Sequence, residues 1–515
     1  MNKKIVQGLL LATTLIFGSC TDQLEEKYYN PEKSTTMSIP GFFTSALNSD
    51  RVRPSYWNVR TFLEMQPGVY AQTNYFGNGN TAYQQADSYC EQYWNDFYGR
   101  GIMSLYRAME VTYANLPDAD KKNQEIFMKA VEVVLYDRAS QMVDLWGDIP
   151  FSEAGSLETN STITNAKFDD SAELYATFIA GLDECATYFA SASTTADFSK
   201  YDILLSGNVK KWQQYANSLR LRLLMRMSNA NENTAKTEVL EMLSKPASYP
   251  LVDGAMASNY NPANVDVLLF PLTTYTDNLN SALSELNCNW APDYLLNKVM
   301  APSNDPRLPI FFDNTSKGYR AMPVESSTSW AEANYADYCY LDSTTFVQNA
   351  QMPGFVMTSS EVNFLKAEAY QRWGNSSDAK TAFETAVKQS VSFYYYVNNL
   401  NSAGLRKESK PSDSEIEAFI ESGVSYSGTD AQKLALIYTQ KWLHFGLWQA
   451  NQAWAEYRRT DVPALTFPSE GKLSGYTTPP TRLIYPSGEV SNNSENYKIV
   501  AGKDTRSTKL FWDVK

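Results

Sequence analysis

The stretch LWGDIPFSEA, residues 145–154, marks a point where a long helix must end and the chain must turn. Gly147 can take the left-handed conformation that ends a helix, and Pro150 lacks the N–H needed to continue one. Ile149 and Phe151 are too apolar to remain in water, so the turn should be buried. Upstream, apolar residues recur at three- and four-residue spacing and predict one buried helix face: Val131, Leu135, Ala139, Met142 and Trp146. The stretch therefore predicts a corner in a helical scaffold.

The carboxylates of this corner, Asp148 and Glu153, are the most suggestive pair for an enzyme. A glycosidase needs two carboxylates that face each other across a cleft. Because Gly147 and Pro150 force a turn here, we expect the two carboxylates to hold the corner by hydrogen bonds. His444, the only histidine, lies in the middle of a predicted helix and is expected to be packed there. A single histidine also excludes a histidine metal cluster, and the sequence predicts no catalytic set.

The N-terminus indicates the compartment. Lys3 and Lys4 precede an apolar run over residues 5–17, which is too short to span a bilayer as a helix. Gly18 and Ser19 then lead into Cys20, a pattern typical of a bacterial lipoprotein cleavage site. We predict a signal peptide at 1–19, lipidation of Cys20, and a polar tether over 20–38. The alternative is an ordinary secretory signal in which Cys20 plays no part.

Charge and cysteine spacing exclude several classes of partner. The formal net charge is −13, and loss of Lys3 and Lys4 with the signal peptide lowers it to −15. Nucleic acid is therefore not an expected partner, because a phosphate-binding surface needs clustered Lys and Arg. The four remaining cysteines contain no C-x-x-C pair and could form disulfides or stay as buried thiols: Cys90, Cys185, Cys288 and Cys339.

Helical periodicity predicts a mainly α fold. The clearest repeat covers Glu361 to Ser390, where Ala367, Ala379, Ala382 and Phe383 follow the spacing of a tetratricopeptide unit. We predict one domain over residues 39–515, built on four tetratricopeptide-like helix pairs with long irregular loop insertions. The predicted pairs lie at about 93–146, 171–228, 361–390 and 430–456.

Two irregular segments rich in aromatic residues, about 57–98 and 259–352, are the predicted ligand surface. Sugar rings bind with their C–H faces on aromatic planes, while amide, carboxylate and guanidinium groups bind the hydroxyls. The candidate aromatic residues are Trp57, Tyr75, Phe76, Tyr83, Trp290 and Trp330. The candidate polar partners are Asn78, Asn80, Asp87 and Arg320. We expect no cofactor, although loop carboxylates could hold a structural calcium ion.

Several blocks in a fixed order resemble the SusD/RagB family of outer-membrane lipoproteins, in its SusD-like branch. These blocks are residues 94–98, 145–154, 212–222, 305–309, 361–386, 439–442, 453–460 and 482–486. The resemblance implies a lipid-anchored protein on the cell surface that binds a nutrient, usually an oligosaccharide. It also implies a partner, a SusC-like TonB-dependent transporter in the outer membrane.

The predicted function is capture of a nutrient oligosaccharide or polysaccharide and its delivery to that transporter. Two alternatives remain open. A member of the same family could capture a peptide, because aromatic loops serve peptides as well as sugars. An all-helical surface glycosidase is the other alternative, and release of shortened products from the glycan would distinguish it.

Overall fold

The computed structural model describes residues 38–75, 79–99, 101–162, 164–255, 259–272, 279–285, 289–323 and 335–515. The described chain is mainly helical, and eight of its helices form the four pairs of the scaffold. They are α1 Ile102–Ala114, α2 Asp118–Trp146, α3 Ser171–Ser191, α4 Val209–Met227, α5 Ser359–Trp373, α6 Ser376–Leu400, α7 Asp430–Phe445 and α8 Ala450–Thr460. The predicted scaffold of tetratricopeptide-like helix pairs is confirmed. None of the helices in the described ranges is long and apolar enough to cross a membrane.

Local sequence signals define where these helices begin. Asp170 accepts hydrogen bonds from the backbone N–H groups of Ala172 and Glu173, which caps the start of α3. Thr429 and Gln432 form a reciprocal capping box at the start of α7. Each cap satisfies backbone donors that have no partner within the helix, and a cap of this kind contributes about 1 kcal/mol.

Helices α5 and α6 show why small residues matter in the repeat. Ala367, Ala379 and Ala386 are fully buried, so the two helices approach closely along this line. Phe383 fills the space beside them and lies 6.1 Å from Phe364, measured between ring centroids. Close packing of this kind is the main source of helix stability in a stacked-pair scaffold.

The corner at residues 145–154 is largely buried, with Phe151 half-buried and Ser152 and Glu153 exposed, and other parts of the chain hold it in place. Helix α2 ends at Trp146, and Gly147 has a φ of +80°, as the sequence predicts. Trp146 Nε1 donates to the carbonyl of Ile484 at 3.0 Å, which ties the corner to the C-terminal segment. Arg107 from α1 donates to the carbonyls of Phe151 and Ala154, each at 2.9 Å. The predicted scaffold corner is thus confirmed.

Both carboxylates of the corner accept hydrogen bonds from other segments of the chain. Asp148 accepts from the backbone N–H of Ser171 at 2.9 Å and from Lys503 Nζ at 2.7 Å. Glu153 accepts from the backbone N–H of Lys167 at 3.1 Å. The expectation that they hold the corner by hydrogen bonds is therefore confirmed.

A buried charge network contacts all four helix pairs. Arg459 of α8 forms a bidentate pair with Glu368 of α5, with both N–O distances at 2.7 Å. Lys441 of α7 contacts Glu456 at 2.6 Å, and Arg226 of α4 bridges Glu456 at 3.0 Å. Arg226 also reaches Asp144 of α2 at 2.8 Å. These groups are paired and hydrogen-bonded, which is the condition for burying charge.

The second predicted irregular segment is closed at its base by a short sheet. Strand β1, Val267–Leu269, pairs antiparallel with β2, Gly354–Met357, so the start and end of the insertion lie side by side. The segment also contains short helical turns: Pro262–Val265, Leu279–Glu285, Tyr294–Met300, Leu308–Phe311, Tyr335–Asp337 and Ser343–Val347.

The first predicted irregular segment, 57–98, is less irregular than its composition suggests. It contains a π-helical turn, Val59–Leu63, and a short helix, Pro67–Tyr70. A regular helix then begins at Asp87 and runs to Tyr98, earlier than the sequence indicates. The buried aromatic residues of this segment, such as Trp94, fill the core instead of a surface.

The remaining described helices surround the scaffold. They are Ile39–Leu47, Tyr56–Asn58, Gly79–Thr81, Ser156–Asn160, Ala196–Tyr201, Glu232–Ser244, Asp413–Ser422, Ser487–Asn492, Ser494–Val500 and Ala501–Lys503. Cys90, Cys185 and Cys339 are buried free thiols, whereas Cys288 lies outside the described residues. Burial raises the pKa of the Cys90 thiol well above its ordinary value, so this side chain behaves as a small apolar group.

Candidate functional site

Two aromatic rings from distant parts of the second segment lie against each other. Residues 289–291 and 339–341 run antiparallel: Ala291 N donates to the carbonyl of Cys339 at 2.9 Å, and Leu341 N to that of Asn289 at 2.7 Å. Trp290 and Tyr340 are therefore directly opposite, in the type of pair where side chains are closest. Their ring centroids lie 4.0 Å apart and their planes are 29° from parallel.

The two rings differ in exposure, and this decides which of them can meet a ligand. Trp290 is 9% exposed and Tyr340 is 39% exposed. Trp290 is therefore the buried member of the stacked pair, and Tyr340 is the member exposed to solvent. A rigid aromatic plane supported from below is suited to stacking against the apolar face of a sugar or another ring.

Arg320 lies on the segment next to this ladder. Cys339 N donates to the carbonyl of Arg320 at 2.8 Å, which places Arg320 beside the strand that carries Tyr340. The Arg320 side chain is exposed, and its guanidinium carbon lies 5.5 Å from the ring centroid of Tyr338. The structure thus brings together two of the predicted site residues, Trp290 and Arg320, and adds two tyrosines that were not among the predicted residues.

Trp57 is the most exposed of the predicted aromatic residues that the structure describes, at 53%. It lies in the helical turn Tyr56–Asn58. The neighbouring Tyr56 hydroxyl donates to Glu285 at 2.7 Å, and Arg60 forms an ion pair with the same carboxylate. Glu285 ends the short helix that precedes the Trp290 segment, so the two predicted ligand segments are in contact.

Tyr83 differs from the prediction. It is 3% exposed, and its ring packs edge-on against Phe467, with Lys472 Nζ 5.4 Å from its centroid. Burial raises the pKa of its hydroxyl to about 12. The prediction of a ligand platform at Tyr83 is wrong for this structure, because the ring belongs to the core beneath the C-terminal segment.

The other predicted residues do not gather into one place. Tyr75 is half-buried. Asn80 is exposed in a turn, and its backbone carbonyl accepts a hydrogen bond from Leu473 N at 3.1 Å. Asp87 is exposed in the first turn of the Asp87–Tyr98 helix, where its charge complements the helix dipole. The three remaining predictions lie outside the described residues: Phe76, Asn78 and Trp330.

His444 is enclosed by the scaffold and has no access to a surface ligand. Its two ring nitrogens lie 2.7 Å from Thr358 Oγ1 and 2.9 Å from Ser390 Oγ. Burial, followed by the charge of Arg307, lowers the pKa of His444 to about 3. The predicted role as a packed helical histidine is confirmed.

In the ranges that the structure describes, no group of three or more His, Cys, Asp or Glu side chains could hold a metal ion.

Comparison with known proteins identifies the family. Residues 34–486 match a SusD-like family, described as starch-binding and associating with the outer membrane. Three solved structures share the fold, and each alignment covers 93% of this chain. They are a chitin-binding protein (20% identity, TM-score 0.74, 100% of that chain), a Bacteroidetes SusD-like protein (21%, 0.73, 100%) and a SusD homologue from Bacteroides uniformis (22%, 0.69, 99%). No curated protein matches the sequence.

The family match extends over most of the chain and contains all four helix pairs. Its members are binding proteins without catalytic activity that associate with the outer membrane. The chain belongs to the SusD-like family of outer-membrane-associated binding proteins.

Proposed function

We propose that this chain is a lipid-anchored protein of the cell surface that captures a nutrient oligosaccharide or polysaccharide. We further propose that it delivers the glycan to a SusC-like TonB-dependent transporter. The observation that carries the proposal is the exposed face of Tyr340, supported from below by Trp290 at 4.0 Å. Such a plane gives a sugar ring a surface of matching size, and binding there needs no catalytic group.

The surroundings of Tyr340 supply polar groups for the hydroxyls of a sugar. Arg320 is exposed on the adjacent segment and provides several N–H donors. Tyr338, two residues before Tyr340, adds a phenol next to that guanidinium. The description of the family as starch-binding and the chitin-binding relative in the same fold support a glycan over other nutrients.

Attachment to the membrane rests on the sequence pattern that ends at Cys20. An acylated N-terminal cysteine followed by a polar tether would leave the folded body free to meet both glycan and transporter. Delivery to a SusC-like transporter follows from the family resemblance.

Isothermal titration calorimetry and affinity gel electrophoresis against a panel of soluble polysaccharides test the binding function. The panel contains starch, chitin oligosaccharides, cellulose oligosaccharides and mannan, with a peptide digest as a separate arm. We expect one glycan class to bind, and Tyr340→Ala to weaken it by about tenfold or more. Trp373→Ala is the matched control, since Trp373 is also partly exposed but lies at the end of α5.

Binding of the peptide digest alone would overturn the glycan proposal in favour of peptide capture. Equal affinity of wild-type protein and Tyr340→Ala for the bound glycan would leave the function standing but remove the proposed site.

A further inference from the structure

A pocket of about 320 Å³ opens beside Trp57, and none of its lining residues belongs to the Tyr340 ladder. Its walls come from the end of helix Ile39–Leu47, the helix Asp87–Tyr98 and the start of α1. This volume lies at the lower end of the range for small-molecule sites, about 300–1,000 Å³. The turn at residues 48–51 and the helical turns that carry Trp57 and Thr61 complete the walls.

Four polar side chains line this pocket and have no hydrogen bond to the described part of the chain. They are Asn48, Asn58, Gln92 and Asp96. Asn48, Gln92 and Asp96 are also exposed, so their donors and acceptors are open to a ligand. A concave surface with several unused donors and acceptors beside an exposed indole has the composition of a polyhydroxyl binding site.

Arg51 supplies the positive charge of the pocket wall. It lines the pocket and is 7% exposed, with its guanidinium stacked 3.6 Å above the ring centroid of Tyr93. Its terminal nitrogens donate to the carbonyl of Tyr93 and to Met142 Sδ, but Nε has no hydrogen-bond partner in the described chain. Its position in the pocket wall is therefore fixed by Tyr93 and Met142.

The charge of the lining selects the kind of ligand. Asp50 and Asp96 contribute two carboxylates, against the single guanidinium of Arg51. An anionic ligand would face net repulsion in this pocket, whereas hydroxyl groups can donate to the carboxylates. The exposed face of Trp57 then receives the apolar side of a ring.

We propose that the pocket formed by Asn48, Arg51, Trp57, Asn58, Gln92 and Asp96, the Trp57 pocket, binds a neutral pyranose unit of the captured glycan. It is a second subsite, separate from the Tyr340 ladder. The proposal rests on the proposed function, and it adds a specificity: neutral sugars are accepted, while uronic-acid or sulfated sugars are rejected.

Fluorine NMR on protein labelled with 5-fluorotryptophan tests occupation of the pocket directly. The resonance of Trp57 is assigned by its loss in Trp57→Phe. The probes are maltohexaose, chitohexaose, cellohexaose, mannohexaose and, as the anionic member, hexagalacturonate. We expect the neutral glycan that binds in calorimetry to shift the Trp57 resonance, and hexagalacturonate to leave it unchanged.

Variants provide the second readout. Trp57→Ala and the double variant Asn58→Ala/Gln92→Ala should each weaken binding of the neutral glycan by about tenfold. Trp373→Ala should leave it unchanged, and thermal unfolding confirms that each variant folds. In Tyr340→Ala, saturating glycan should still shift the Trp57 resonance, because the two subsites share no lining residue.

The outcomes separate this proposal from the proposed function. A glycan that depends on Tyr340 but neither shifts the Trp57 resonance nor loses affinity in Trp57→Ala would overturn the second subsite alone. Stronger binding of hexagalacturonate at Trp57 would overturn the charge selection. A complete absence of glycan binding across the panel would overturn both the subsite and the proposed function.

Discussion

Tyr340 lies almost parallel over Trp290, with 4.0 Å between ring centroids, so the exposed ring depends on the buried one for its position. Tyr340→Phe keeps the plane and should hold glycan affinity within about threefold, whereas Tyr340→Ala removes the plane. Trp290→Ala should weaken binding and also destabilise the fold by roughly 3–5 kcal/mol, the usual cost of truncating a buried Trp. Calorimetry with the bound glycan and urea unfolding measure the two effects. A Trp290→Ala protein with full affinity would show that Trp290 does not position Tyr340.

The buried imidazole of His444 should make the stability of the fold depend on pH. Its pKa falls from 6.5 to about 3 on folding, so the folded protein holds the neutral ring. The associated stability is present above about pH 6.5 and is lost as pH falls towards 3, at about 1.4 kcal/mol per pH unit. Urea unfolding at pH 7, 6 and 5 should show a steeper decline for the wild type than for His444→Gln. The carboxylates contribute to the pH dependence of both proteins, so the difference between the two curves reports on His444. Parallel curves would contradict the prediction.

Glu368 should be among the most sensitive positions of the scaffold. It is fully buried; burial alone raises its pKa, but the charges of Arg459 and Lys441 outweigh that and lower it to about 2. Glu368→Ala removes one of the two carboxylates that contact Arg459 and Lys441 and leaves an excess of buried positive charge, which should destabilise the protein by roughly 3–5 kcal/mol. Glu384→Ala, at an exposed pair with Lys380 on α6, should change the free energy of unfolding by less than about 1 kcal/mol. Denaturant unfolding of both variants at pH 7 provides the comparison, and equal losses would show that burial of the network does not matter.

Gly147 and Gly318 form a matched pair for testing the corner. Their φ values are +80° and +82°, so an alanine is strained at both positions. At Gly147 the added Cβ would also lie 3.2 Å from Arg482 Nη1 and 3.3 Å from Leu510 Cδ2, whereas nothing lies within 4 Å at Gly318. Gly318→Ala should therefore cost about 1 kcal/mol of backbone strain and Gly147→Ala clearly more. The melting temperatures of the two variants compare the crowded position with the open one, and equal losses would mean that contacts with Arg482 and Leu510 do not add to the cost at Gly147.

Cys20 gives a prediction about location. Cys20→Ser removes the acceptor of the lipid, so the protein should move from the outer-membrane fraction to the soluble fraction of the cell envelope. Fractionation with immunoblotting, and protease treatment of intact cells, measure this. Retention of Cys20→Ser at the cell surface would show that something other than this cysteine anchors the chain.

Structural features that depend only on neighbouring residues in the chain could be predicted from the sequence. The end of α2 follows from Gly147, and the α5–α6 pair follows from the spacing of Ala367, Ala379 and Phe383, because period and turn chemistry are local properties. These are the signals that also place the chain in its family.

The exposure of individual aromatic rings could not be predicted in the same way. Tyr83 is covered by Phe467 and Lys472, nearly 400 residues further along the chain, and no local pattern reveals that contact. Tyr340 does not stand out in the sequence, because its exposed position depends on pairing with Trp290 across an antiparallel ladder. The alternation Tyr338-Cys339-Tyr340 was the available signal, since a buried cysteine between two aromatic residues fits a strand with one outer face.

The charge network around Glu456 also limits how this molecule can transmit force. Arg226 and Lys441 attach to that carboxylate from different helix pairs, and Arg226 continues to Asp144. Sliding a helix that carries one of these charges by a turn, about 5.4 Å, would separate buried ions at a cost of roughly 3–5 kcal/mol for each broken pair. A force applied at one end of the protein should therefore move the scaffold as a rigid body. The ligand segments should move together with the scaffold and keep their positions relative to each other.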